Sequence, residues 1–112
     1  MMSSLIYLCS PYSDPDPAVR QERFEAVCRA AAGLMARGLV VFSPIAHTHH
    51  IALAGNLPTG WDYWQKVDAA FLSACSRVVV LMLPGWRDSK GIAEELRLAR
   101  VMGKPFDYLT PE

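Results

Sequence analysis

Two glutamates stand side by side at positions 94 and 95, and helical spacing separates their roles. Glu95 follows Ile92 by three residues and precedes Ala99 by four, so its carboxyl lies on the apolar stripe of an amphipathic helix. Glu94 falls three residues before Arg97 and four after Lys90, the spacing of surface ion pairs, and is read as structural. A carboxylate on a core-facing stripe costs on the order of several kcal/mol unless it is paired or protonated. Glu95 is therefore either a compensated structural residue or a functional one. Asp68 repeats the pattern, four residues after Trp64 and three before Phe71. Two inward carboxylates at the mouth of one sheet suit acid and base, or nucleophile and orienter. The alternative for Asp68 is a loop cap or a partner for an arginine.

The elements that position these groups follow from periodicity. Leu5 to Cys9 is a short apolar run closed by Ser10-Pro11-Tyr12-Ser13-Asp14-Pro15, as expected of a parallel strand covered on both faces. Phe24, Val27, Cys28, Ala31, Leu34 and Met35 recur at helical spacing between about Pro17 and Arg37, and Gly38 ends that helix. Leu39 to Phe42 predicts a second strand. Ser43 to Gly60 holds three histidines, two prolines and two glycines without a sustained period, and is expected to be a long surface or active-site loop. Thr59-Gly60-Trp61-Asp62 offers the start of a second helix carrying Trp64, Val67, Phe71, Leu72 and Cys75. Arg77 to Leu83 is the strongest strand signal, stopped by Pro84-Gly85. Ile92, Leu96, Ala99 and Met102 mark a third helix, ended by Gly103 before a last strand around Lys104 to Leu109.

The resulting order, βαβαβαβ, predicts an α/β fold: one flavodoxin-like three-layer domain over residues 1–112, with a mostly parallel sheet of four to five strands flanked by helices. Such sheets bind ligands at the carboxyl ends of their strands. That edge gathers Ser10 to Ser13, Ser43 to His50 and Pro84 to Lys90.

Composition narrows the function classes. With 52% apolar and 20% charged residues, the chain has material for a core and no mark of disorder. Eleven basic and eleven acidic residues are scattered, which removes the footprint of a nucleic-acid polymer partner. The three cysteines sit in apolar runs and predict no disulfide framework. Met1 to Cys9 lacks a basic leader, and no segment has the roughly 20 apolar residues that span a bilayer. A cytoplasmic protein with no membrane partner is expected. His47, His49 and His50 raise the possibility of zinc, but they are too close in sequence to converge on one ion without a distant ligand, and no metal is expected.

Three stretches carry a resemblance. Ile6-Tyr7-Leu8-Cys9-Ser10-Pro11-Tyr12-Ser13, Asp68-Ala69-Ala70-Phe71-Leu72 leading into Val78-Val79-Val80, and Ser89-Lys90-Gly91-Ile92-Ala93-Glu94-Glu95-Leu96 look like the nucleoside 2-deoxyribosyltransferase superfamily, which includes the deoxynucleoside 5'-monophosphate N-glycosidases. The chain also resembles a small bacterial and phage branch of that superfamily. The correspondence runs over nearly the whole chain, and the S-x-G-x-x-x-E spacing follows a valine-rich strand and opens a helix.

The resemblance implies an enzyme that cleaves or transfers the N-glycosidic bond of a (deoxy)nucleoside or its 5'-monophosphate, with no cofactor. By position Glu95, four residues after Gly91, is the nucleophile that forms a glycosyl-enzyme intermediate. Asp68 supports that glutamate and the leaving base, and Tyr7 orients the nucleophile. Ser89, at a helix start beside Lys90 and Arg87, implies an anion site for the phosphate, to which Ser10 and Ser13 add hydroxyls. Asp88 and Pro11 weigh against it. His47 is expected to face the base or sugar near Trp61 or Trp64, whose rings suit stacking on a nucleobase. Members assemble as homo-oligomers, dimers or tetramers. The chain ends at Glu112, before the C-terminal segment by which some relatives supply an asparagine to a neighbouring site. The alternative is a non-catalytic nucleotide-binding sensor of the same fold.

Overall fold

The computed structural model describes residues 4–111; Met1 to Ser3, the start of the segment read above as lacking a leader, and Glu112 lie outside the described residues. Four strands, β1 (Leu5–Cys9), β2 (Val40–Phe42), β3 (Arg77–Leu81) and β4 (Phe106–Leu109), form one sheet in the order β2-β1-β3-β4. Every neighbouring pair is parallel, with Tyr7 opposite both Phe42 and Val78. The sheet is thus four-stranded and wholly parallel, and chain order reverses between β1 and β3, where such sheets open a ligand crevice.

Alternation along the strands divides the core into two layers. Ile6, Leu8, Val79 and Leu81 face Val27, Ala31 and Leu34 of α1 (Pro17–Ala36). Tyr7, Cys9, Val78 and Val80 face Leu72 and Cys75 at the end of α3 (Trp61–Ala74) and Ile92, Leu96 and Ala99 of α4 (Lys90–Val101). Both sheet faces are covered, which is why these strands read as continuous apolar runs rather than alternating ones. Met35 departs from the expected stripe and is exposed.

The expected loop between Ser43 and Gly60 is instead largely a helix, α2 (Pro44–Gly55). Its start has a physical basis: the Ser43 hydroxyl accepts from the Ala46 amide at 3.1 Å, and Pro44 occupies the first turn, where no donor is needed. Asp16 begins α1 the same way, accepting from the Ala18 amide at 2.9 Å ahead of Pro17. Gly103, at φ 71°, reverses the chain after α4 and lets the Lys104 amide reach the Ala99 carbonyl at 2.8 Å. Among the described residues, no helix is long and apolar enough to cross a membrane.

Candidate active site

A cleft of about 590 Å³ opens at the carboxyl ends of β1 and β3. The turn after β1 brings Ser10 and Ser13 to it, α3 brings Trp61 and Asp68, and the start of α4 brings Ser89, Gly91 and Glu95. These seven of the nine residues singled out from sequence share one cavity. Tyr7 lies beneath it, in the core, and its phenol donates a hydrogen bond to Oε2 of Glu95. His47 lies outside the lining: it is exposed on α2, its ring against the stacked pair of Phe42 and Phe71.

Glu95 is 5% exposed and Asp68 8%. Desolvation pushes the Glu95 carboxyl up to about 8; the Tyr7 hydrogen bond opposes that rise and the Asp68 charge adds to it. Burial also raises Asp68, to about 6. Tyr7 and Cys9, buried beside Glu95, are held well above their ordinary values, first by desolvation and then by the Glu95 charge. Both stay protonated; the Tyr7 phenol donates to the carboxylate, and the Cys9 thiol lies beside it. Between about 6 and 8 the two acids hold one proton between them, an arrangement that separates an acid from a base in one site. Glu94 is apart from this, bonded to Arg97 at 2.9 Å. Its other expected partner, Lys90, reaches across to Asp62 at 3.3 Å instead.

At the start of α4 the Ser89 hydroxyl accepts from the Ile92 amide at 3.2 Å and so caps the helix. Ser10, 5% exposed, is the only buried side-chain oxygen among the described residues without a hydrogen-bond partner, and it lines the cleft. A buried hydroxyl left unpaired is a costly arrangement that a ligand would relieve. Acidic side chains also outnumber basic ones in the lining: Asp14, Asp62 and Asp88 join Asp68 and Glu95 against Arg23 and Lys90.

Several lining residues escaped the sequence reading. Thr48, Ile45 and Ala52 belong to α2, whose start was signalled by Ser43-Pro44. Arg23 looked like a solvated residue off the apolar stripe of α1. Its guanidinium donates to the carbonyls of Ser13 at 3.1 Å and of Tyr12 and Pro84 at 3.4 Å, tying the turns after β1 and β3 together. Carbonyl partners leave no trace in side-chain spacing. Gly85, at φ 90°, completes that tie, since a Cβ there would sit 3.0 Å from the guanidinium.

Comparison with solved structures finds the same fold in a 2-deoxyribosyltransferase from the psychrotolerant bacterium Bacillus psychrosaccharolyticus, at a TM-score of 0.66 and 24% identity, covering 96% of this chain and 73% of that one. No curated protein matches. The family model described as a domain of unknown function, DUF1937, matches residues 4–109. The chain therefore belongs to the DUF1937 family, and its backbone takes the fold of that deoxyribosyltransferase.

Proposed function

We propose that this protein cleaves or transfers the N-glycosidic bond of a (deoxy)nucleoside or its 5'-monophosphate, with Glu95 as nucleophile. The observation that carries the reading is a fully buried carboxyl on the floor of a nucleoside-sized cleft, bonded by a buried phenol and accompanied by a second buried acid. Between about 6 and 8 the one proton of the pair rests mainly on Glu95. The productive form is the minor one in which it lies on Asp68, so that the Glu95 carboxylate attacks the anomeric carbon while Asp68 gives the proton to the departing base nitrogen as the glycosidic bond breaks. The positive charge that develops on the sugar offsets the cost of the buried carboxylate, while Tyr7 holds a donor on it. Water, or a second nucleobase, then attacks from the opposite face as the Asp68 carboxylate takes its proton, breaking the bond to Glu95 with net retention. Trp61 and Trp64 at the cleft wall supply flat surfaces for a base, and Ser10 a hydroxyl for the sugar or its phosphate.

The test is incubation of the protein with deoxynucleosides and their monophosphates, with and without a free base, followed by chromatography for released or exchanged base. Turnover by the native chain and its loss in Glu95→Ala, with ligand binding retained, is the expected result. No turnover on any member of the panel overturns the proposal, and undiminished turnover in Glu95→Ala overturns the nucleophile.

A further inference from the structure

A second polar cluster, centred on the buried His49 and reaching the surface at Gln21, adjoins the cleft and has no part in the chemistry above. His49 on α2 is 3% exposed and both its ring nitrogens are engaged: Nδ1 lies 2.7 Å from the Tyr12 hydroxyl and Nε2 lies 3.0 Å from Oε1 of Gln21. Tyr12 lines the cleft, whereas His49 does not. The Phe24 ring stacks on the imidazole at 4.1 Å between centroids, and Tyr12 meets it edge-on. We infer that His49 is a positioning residue: neutral, with its proton on Nε2, it fixes Tyr12 as a wall of the ligand cleft.

The proton assignment follows from the end of the chain of hydrogen bonds. A Glu25 carboxylate has no proton to give, so at 3.0 Å from its Oε2 the Gln21 amide must present Nε2 as donor. That turns Gln21 Oε1, an acceptor, toward the imidazole, so Nε2 of His49 is the N–H. The remaining nitrogen of a neutral ring is an acceptor, and Tyr12 Oη–H donates to it. The surroundings agree with a neutral ring: burial above all disfavours a second proton, followed by the neighbouring His50 on α2 and Arg20 on α1. The Tyr12 hydroxyl, held by His49 and neighboured by Arg20, fixes the plane of its ring.

The inference rests on the cleft being the ligand site proposed above, and the experiment separates the two. Imidazole 15N spectra of the full chain are expected to show a protonated Nε2 and a bare Nδ1 at neutral pH; a protonated Nδ1 or a charged ring overturns it. His49→Phe keeps the stack on Phe24 and removes both hydrogen bonds. It is expected to shift the unfolding equilibrium about fivefold toward the unfolded chain. In a Tyr12→Phe background the same substitution should add only about twofold, the part that belongs to the Gln21 bond, because the bond shared with Tyr12 is already gone. On a turned-over deoxynucleoside, His49→Phe should raise KM several-fold with kcat little changed, and His49→Asn, which returns an acceptor near Nδ1, should recover most of the loss. Additive effects of the two substitutions, or a fall in kcat at constant KM, overturn the positioning role. Absence of turnover in the native chain strikes only the proposed function, since spectra and stability still decide the role of His49.

Discussion

Replacing Glu95 by glutamine should make the protein more stable, and increasingly so as pH rises. In the unfolded chain the Glu95 carboxyl ionises near 4.5, whereas in the folded protein burial holds it protonated up to about 8. Between those values the folded state binds a proton that the unfolded state has released, so stability falls as pH increases. The contribution of Glu95 is fully present below 4.5 and is lost as pH passes through 8. Each pH unit of that gap corresponds to about 1.4 kcal/mol, which gives a loss of about 1 kcal/mol near pH 5 and about 5 kcal/mol near pH 9. Glutamine keeps an oxygen to accept from Tyr7 and has no charge to bury, so Glu95→Gln escapes the loss. Urea unfolding followed by circular dichroism at the two pH values, on both proteins, measures the difference directly. The stability gap should widen by about 4 kcal/mol from near pH 5 to near pH 9, while other titrating groups largely cancel. Parallel curves, with a gap changing by less than about 1 kcal/mol, would refute the argument and place the Glu95 ionisation near its ordinary value.

Three further outcomes follow. The pH profile of kcat/KM should be a bell with limbs near 6 and 8, and Tyr7→Phe, which removes the hydrogen bond that restrains Glu95, should move the basic limb to higher pH and lower the maximum at least about tenfold. Asp88→Asn removes one of the acidic side chains from the cleft lining and should strengthen binding of a nucleoside 5'-monophosphate about two- to fivefold, with little effect on the nucleoside; calorimetry at low and high salt checks it. Gly85→Ala combines a left-handed backbone with a contact on Arg23, and should lower stability by about 1–2 kcal/mol, read from the urea midpoint.

Sequence patterning reached the strands and three of the four helices because burial on one stripe, or on both sheet faces, is written into residue spacing. It also separated Glu95 from Glu94 and marked Asp68 as inward, since three- and four-residue offsets translate directly into direction on a helix. It failed at α2. There the apolar residues are interrupted by Thr48 and three histidines, of which His49 packs inside through partners 28 and 37 residues away in sequence while His47 and His50 are exposed. A histidine satisfied by distant side chains looks like a loop residue until the fold is closed. His47 shows the converse: proximity in sequence to the histidine cluster suggested the cleft, yet its position on the helix turns it toward Phe42 and Phe71. The Arg23 tie was equally illegible, because backbone carbonyls are available everywhere and mark no residue type.

Tyr7 and Cys9 belong to the same buried cluster as Leu72, Val80 and Ile92, and they also lie against Glu95. The floor of the cleft and the upper layer of the core are therefore one set of atoms. Residues on the rim, such as Asp62, Asp88 and Lys90, are exposed and can vary with little effect on packing. A substitution on the floor, by contrast, changes the shape of the cleft and the packing of the core in a single step.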